Sequence, residues 1–158
     1  PLIETSRAIE TVTQIAAFKD VVGLFFGAAD ASASLGCKLA WEPLLYARHR
    51  VVLAASMFNL FTIDAPYFYI DKMAGLKEEA EAVKNLGFTG KAAIHPDQID
   101  YINEAFSPSA EEKAEAKKVL EEYQKSGGGA IKVDGQMIDE PIAEAMRLKI
   151  TLGEEEKK

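Results

Sequence analysis

Residues 21–26 have the sequence VVGLFF, an apolar run between Asp20 and Gly27. A short run that is apolar at every position is typical of a strand buried on both faces of a parallel sheet. Similar short runs occur at residues 2–3, 60–63 and 91–94. The sequence therefore predicts four strands of one buried parallel sheet.

Stretches of helical period separate these runs. After the first strand, Thr5 and Ser6 can cap a helix whose apolar positions recur at three- and four-residue spacing. A second helix is predicted from Glu42 and Pro43, a third over residues 74–85, and two more over residues 96–103 and 109–125. Alternating strands and helices predict an α/β fold built from four strand-helix units.

The segment after residue 125 has a different character. Residues 126–129, SGGG, predict a flexible hinge, and they are followed by a strand-like run, an Asp134-Gly135 turn and a helix over residues 140–149. Residues 153–158 predict a charged, frayed tail. We therefore expect a half-barrel over residues 1–125 and a hinge, lid and tail over residues 126–158.

Four units are half of a (β/α)8 barrel, which has eight strands and usually about 250 residues. The chain has 158 residues and opens on Pro1-Leu2-Ile3, which resembles the inside of a strand. An open doubly wound sheet is the alternative. The opening favours the second half of a barrel whose first half is missing.

Composition excludes some functions. The net charge of −7 and pI near 4.9 argue against a nucleic-acid partner, which clustered Lys and Arg would bind. No apolar run approaches the roughly 20 residues that cross a bilayer, so no membrane partner is expected. The single cysteine, Cys37, fits a buried filler role in a reducing compartment, and we expect a cytoplasmic or organelle-matrix protein.

Polar residues stand at the end of each predicted strand, namely Glu4, Asp30, Asp64 and His95. In parallel α/β folds these positions meet at one edge of the sheet. Glu4 and Asp30 follow adjacent strands, and two close carboxylates suit Mg²⁺, although both could equally cap helices. Asp64 before Ala65-Pro66 is more typical of a turn residue.

Asp139 lies in the segment GQMID, residues 135–139, and by pattern it is the N-cap of the last helix. His95 precedes Pro96, which favours an extended backbone at the end of its strand.

Five segments together resemble the citrate lyase beta-subunit, malyl-CoA lyase and citramalyl-CoA lyase family of the HpcH/HpaI aldolase superfamily. They are LIET at residues 2–5, GAAD at 27–30, IDAPY at 63–67, GFTGKAAIHP at 87–96 and GQMID at 135–139. The resemblance extends from residue 2 to about residue 147 and corresponds to the carboxyl-terminal half of the family's barrel. Each segment alone is weak evidence for this family, but five such segments in the same order are specific for it.

This resemblance implies a magnesium-dependent carbon–carbon lyase of a 3-hydroxyacyl-CoA, such as citramalyl-CoA or malyl-CoA, that releases acetyl-CoA and a 2-oxo acid. It implies Mg²⁺ held by Glu4 and Asp30, with Asp64 as an outer contact. It also implies a homotrimer, or another homo-oligomer, in which the lid's Asp139 acts as acid/base in a neighbouring subunit's site. The acyl-CoA substrate would contact Glu4, Thr5, Ile94, His95 and Pro96.

Two departures from the family keep other functions open. Ala29 stands where many members have an acidic residue, and the first strands, which supply a catalytic arginine and the CoA phosphate contacts, have no counterpart in the chain. Alternatives are the carrier-dependent citryl thioester lyase subunit of citrate lyase, a non-catalytic assembly or regulatory module, and a CoA-independent aldolase of 2-oxo acids.

Overall fold

A computed structural model describes residues 1–155, and residues 156–158 of the expected tail lie outside the described part. The strands are β1 (Leu2–Ile3), β2 (Gly23–Phe26), β3 (Phe61–Asp64), β4 (Gly90–Lys91), β5 (Ile131–Val133) and β6 (Gln136–Ile138). The helices are α1 (Ser6–Glu10), α2 (Val12–Ala16), α3 (Ala28–Leu35), α4 (Trp41–Ser56), α5 (Met73–Leu86), α6 (Ile99–Phe106), α7 (Ala110–Lys125) and α8 (Glu140–Glu155). A single 3₁₀ turn, Pro96–Gln98, precedes α6.

The first four strands form one parallel sheet in the order β1-β2-β3-β4. In its register Ile3 lies beside Phe26, Phe25 beside Ile63, and Asp64 beside Lys91. Helices follow each strand, so the α/β fold with four strand-helix units is confirmed. The carboxyl ends of all four strands lie at one edge of the sheet, where the candidate site residues were expected.

Within residues 1–106, the helices cover one face of this sheet. Ile3, Leu24 and Phe26 are buried against the helices, among them Leu44 and Val51 of α4. Each large apolar side chain buried in this way contributes roughly 1.5–3 kcal/mol. The opposite face is open in the described structure, and Phe25 and Phe61 are 36% and 65% exposed there. The expectation that residues 21–26 are buried on both faces is therefore wrong for this structure.

Two elements differ from their predicted form. Residues 28–35 were expected to be a connection but form α3, because alanine has the highest helix propensity and Gly36, with φ of 66°, ends the helix in the left-handed conformation. The fourth strand was predicted over residues 91–94 but comprises only Gly90–Lys91. It ends early because Ile94 turns its N–H to the side chain of Gln98 instead of to a neighbouring strand.

The chain divides into two compact units, residues 1–106 and residues 107–158. The second unit contains α7, the antiparallel hairpin of β5 and β6, and α8. Its own core comprises Val119, Leu120, Tyr123, Val133, Ile138 and Ala143. The expected boundary after residue 125 differs from this division, because α7 packs against α8 and so belongs to the second unit.

The ends of the second unit's elements follow local sequence signals. Ser109 and Glu112 form a reciprocal capping box at the start of α7. Asp134 and Gly135 both have positive φ, which is the backbone of the tight turn that Asp-Gly favours, so the predicted turn is confirmed. The last helix extends beyond its predicted end at Lys149, to Glu155. None of the described helices is both long enough and apolar enough to span a membrane.

Candidate functional site

Glu4 lies at the carboxyl edge of the sheet, directly against the backbone of Gly27. The Gly27 N–H donates to the carbonyl of Ile3 at 3.0 Å, which brings the end of β2 beside the end of β1. A methyl group at Gly27 would lie 2.7 Å from Glu4 Cβ and 3.0 Å from its Oε2. The Glu4 side chain therefore occupies space that is available only because residue 27 lacks a Cβ.

Asp30 is three residues beyond Gly27, in the first turn of α3. Its side chain is exposed, whereas that of Glu4 is half-buried. Among the residues whose side chains the structure describes, neither carboxylate forms a salt bridge with a Lys or Arg. Two acidic groups near one edge of a sheet, without a salt bridge to a described side chain, are groups that a cation could bind, and their shared Mg²⁺ site stays a prediction.

The donor set fits Mg²⁺ better than a transition metal. In the described part of the chain, no three His, Cys, Asp or Glu side chains are grouped so that they could hold a metal ion. Mg²⁺ commonly takes one or two protein carboxylates and completes its octahedron with water and substrate oxygens. Glu4 and Asp30 are thus residues that could hold Mg²⁺ while leaving coordination positions open.

The close approach at Gly27 provides a test. We expect Gly27→Ala to weaken Mg²⁺ binding about tenfold to a hundredfold, because the added methyl displaces the Glu4 carboxylate, and supporting groups around metal ligands have effects of this size. Isothermal titration calorimetry with MgCl₂ measures the change. The matched control is Gly90→Ala, whose methyl meets only the flexible tip of Ile63 at 3.0 Å. Equal Mg²⁺ affinity in both variants contradicts the assigned position of Glu4.

Thr5 has a structural role next to Glu4. Its Oγ1 accepts the N–H of Ala8 at 3.1 Å and caps α1, as predicted. This bond fixes the direction in which the chain leaves β1. The suggested substrate contact of Thr5 stays a prediction.

Asp64 does not act as a turn residue, and that expectation is wrong. Its carboxylate is fully buried and accepts Arg48 Nε at 2.8 Å on Oδ1 and Lys91 Nζ at 2.8 Å on Oδ2. Lys91 Nζ also bonds Glu79 Oε1 at 2.7 Å. We call Arg48, Asp64, Glu79 and Lys91 the buried ionic network. Its two cations and two anions balance, and its link to a metal site stays a prediction.

Arg48 connects this network to an adjoining cavity of about 70 Å³. Its guanidinium lies 4.7 Å from the ring centre of Trp41 and 5.3 Å from that of Phe26. Tyr67 and Glu79 also line the cavity. Burial raises the pKa of the Tyr67 hydroxyl, and the Glu79 carboxylate raises it further. The hydroxyl therefore stays protonated well into the alkaline range.

Several polar groups of the segment Ile94–Pro96 are already hydrogen-bonded within the protein. The Ile94 N–H donates to Gln98 Oε1 at 2.9 Å, and the His95 carbonyl accepts the Gln98 N–H at 3.0 Å. His95 Nδ1 accepts the Asp97 N–H at 3.3 Å. The backbone N–H and the imidazole Nε2 of His95 form no hydrogen bond with a described residue. These two groups could therefore contact a substrate.

Asp139 lies in the second unit, at the start of α8. Its Oδ1 accepts the N–H of Ile142 at 3.3 Å, so the predicted N-cap is confirmed. Oδ2 forms no hydrogen bond with any residue that the structure describes. One carboxylate oxygen therefore caps the helix while the other is available for chemistry.

Sequence reasoning missed three residues around the site: Arg48, Lys91 and Gln98. All three are buried although their side chains are charged or polar. For Arg48 a signal existed, because it lies between Leu44 and Val51 on the apolar face of α4. Lys91 lies within the predicted fourth strand and Gln98 in the turn after it, and no local pattern indicates that either side chain is buried.

Comparison with known proteins identifies similar chains. Residues 2–96 match the family model described as HpcH/HpaI aldolase/citrate lyase. The human protein named mitochondrial citramalyl-CoA lyase is 38% identical over 144 residues, which are 88% of this chain and 42% of that protein. A citrate lyase subunit beta-like protein of Mycobacterium tuberculosis is 35% identical over 148 residues, 89% of this chain and 54% of the relative. The chain thus spans about half the length of these relatives.

Solved structures share the fold. The crystal structure of CitE from Mycobacterium tuberculosis in complex with magnesium, acetoacetate and coenzyme A is similar at a TM-score of 0.86 and 33% identity. The alignment covers 97% of this chain and 60% of that one. The similarity supports the α/β fold over nearly the whole length of the chain.

Proposed function

Because this chain belongs to the HpcH/HpaI aldolase/citrate lyase family, we propose that it takes part in magnesium-dependent cleavage or formation of a carbon–carbon bond in a 3-hydroxyacyl-CoA thioester. The observation that carries the proposal is the Glu4 carboxylate, which lies against the bare backbone of Gly27 and has no salt bridge to a described side chain. Asp30 supplies the second carboxylate at the same edge of the sheet.

Magnesium bound by Glu4 and Asp30 would supply the positive charge that stabilises a developing oxyanion on the substrate. In the cleavage direction the substrate hydroxyl loses its proton to solvent and becomes the carbonyl of a 2-oxo acid. The electrons of the broken C2–C3 bond pass to the thioester, which leaves as its enolate. His95, through its N–H or Nε2, binds and orients the acidic end of the substrate.

Asp139 completes the reaction by protonating the enolate carbon, which yields acetyl-CoA, or by removing that proton in the condensing direction. The available Oδ2 supports this role. We propose that the protein is a homotrimer and that Asp139 reaches the magnesium site of a neighbouring subunit. Cys37 is a free thiol, which accords with the cytoplasmic location that we propose.

Asparagine at residue 139 separates the two roles of Asp139. Asn caps helices as well as Asp does, so Asp139→Asn should leave the melting temperature unchanged. Its kcat should fall about a hundredfold, because a positioned acid/base contributes at least about that factor. Steady-state kinetics and thermal unfolding measure the two effects. The matched control is Asp134→Asn in the exposed hairpin turn, which should retain wild-type kcat, and an unchanged kcat in Asp139→Asn removes the acid/base from the mechanism.

Activity assays of the natural full-length protein identify the substrate. Citramalyl-CoA, malyl-CoA and a citryl thioester on its carrier protein are each supplied with MgCl₂, and release of the acetyl thioester is followed. We expect a CoA ester to be the preferred substrate, because a lid segment suits a site that closes over a free acyl-CoA. Preference for the carrier-bound thioester indicates a citrate lyase subunit.

Other outcomes indicate other functions. No cleavage of any thioester, combined with no Mg²⁺ binding in calorimetry, indicates a non-catalytic module. Pyruvate-dependent activity on free aldehydes indicates a CoA-independent aldolase.

A further inference from the structure

Gln98 joins the two loops that follow β3 and β4. Its side chain is fully buried, and both ends of the carboxamide are used. Oε1 accepts the Ile94 N–H at 2.9 Å, and Nε2 donates to the Tyr67 carbonyl at 2.9 Å. The buried carboxamide thus hydrogen-bonds to one loop through its acceptor and to the other through its donor. These two bonds fix the distance between the loops.

Neighbouring contacts make this connection stiff. Lys91 Nζ donates to the Ala65 carbonyl at 2.7 Å, two residues before Tyr67. Tyr67 in turn packs against α5 so closely that a Cβ at Gly75 would lie 2.2 Å from its hydroxyl. The loop after β3 is therefore held at the Ala65 and Tyr67 carbonyls and at the Tyr67 ring. The Tyr67 carbonyl that accepts the Gln98 bond thus has a fixed position.

Gln98 holds the other loop on both sides of His95. Its side chain takes the N–H of Ile94, which precedes His95, and its main-chain N–H donates to the His95 carbonyl. Gln98 thus fixes the peptide group before Ile94 and the one after His95, and the peptide that carries the His95 N–H lies between these two fixed points. The large apolar side chain of Ile94 is 49% exposed and contributes little packing of its own.

We propose that Gln98 is a positioning residue, which holds the His95 N–H and imidazole in the orientation that meets the substrate's carboxylate. This inference rests on the proposed function, which specifies a substrate that has a carboxylate. Gln98 touches no reacting atom and acts through His95. Displacement of a binding group by about 1 Å can reduce catalysis about a hundredfold, so a lost anchor should be visible in kinetics.

The test is Gln98→Glu, which keeps the shape and the acceptor for Ile94 but places a carboxylate oxygen against the Tyr67 carbonyl. At pH 8 we expect KM for the thioester substrate to rise about tenfold or more. As the pH falls, protonation of the introduced carboxyl restores a donor to Tyr67, so the ratio of variant to wild-type kcat/KM should rise. Gln14→Glu, an exposed change of the same charge on α2, should match wild type throughout.

A purely structural role would lower the melting temperature of Gln98→Glu but leave KM and the pH profile of the folded protein unchanged, and that result overturns the proposal. A second measurement does not depend on activity. Gln98→Met should speed hydrogen exchange of the Ile94 amide, and unchanged exchange also overturns the proposal. If wild type cleaves no thioester, the proposed function fails, and the exchange result alone decides whether Gln98 fixes the Ile94–His95 segment.

Discussion

Asp64→Ala is expected to lower the free energy of unfolding by about 3–5 kcal/mol, the usual cost of removing one partner from a buried ion pair. The substitution leaves Arg48 with no carboxylate, because Asp64 is its only salt-bridge partner among the described residues. Lys91 keeps Glu79, but it loses the partner that is itself fully buried. Lys91 would then have one partly exposed carboxylate as its partner, and the buried Arg48 would have none.

Denaturant unfolding of the natural full-length protein measures this change as a shift of the transition midpoint. The matched control is Glu104→Ala, which removes the partner of Lys77 in a surface pair whose side chains are 64% and 53% exposed. Exposed pairs contribute about 0–1 kcal/mol, so the transition midpoint of the control variant should barely shift. Equal shifts in both variants would mean that the buried ionic network is hydrated and stabilises nothing.

Glu4→Gln is expected to have the largest effect on activity. The amide keeps the size of the side chain beside Gly27 but removes one of the two negative charges of the proposed metal site. We expect Mg²⁺ binding to fall below detection and kcat/KM to fall about a thousandfold, equivalent to about 4 kcal/mol of lost transition-state stabilisation.

Calorimetry with MgCl₂ and steady-state assays at several magnesium concentrations distinguish binding from chemistry. Partial rescue at high magnesium is expected if Asp30 alone retains weak affinity. Glu10→Gln, an exposed change at the end of α1, is the matched control and should behave as wild type. Wild-type Mg²⁺ affinity in Glu4→Gln would remove the two-carboxylate site from the mechanism.

The fold was predictable where one signal dominated. Uninterrupted apolar runs identified β1, β2 and β3, and the Asp134-Gly135 pair identified the hairpin turn. The strand predicted after Gly90 was too long, because the bond that turns Ile94 aside comes from a side chain four residues later. The boundary between the two units was not predictable from composition, since it depends on packing between α7 and α8.

Part of the candidate site was also accessible from the sequence. Glu4 and Asp139 stand where strand ends and helix caps place them, so their positions follow from local rules. Asp64 was misread because its partners Arg48 and Lys91 are 16 and 27 residues away, and no local pattern reports such a contact. The role of Gly27 likewise depends on a neighbour from another strand.

The arrangement of Arg48, Asp64 and Lys91 also constrains how the chain can evolve. Loss of Asp64 leaves Arg48 without a partner in the interior, and loss of Arg48 or Lys91 removes the charge balance of the buried ionic network, so exchange of one residue at a time passes through a less stable intermediate. Descendants should therefore retain the three residues as a set or replace them together with apolar residues of similar volume. An alignment of relatives should show these columns covarying, whereas the columns of the exposed pair Lys77 and Glu104 should vary independently.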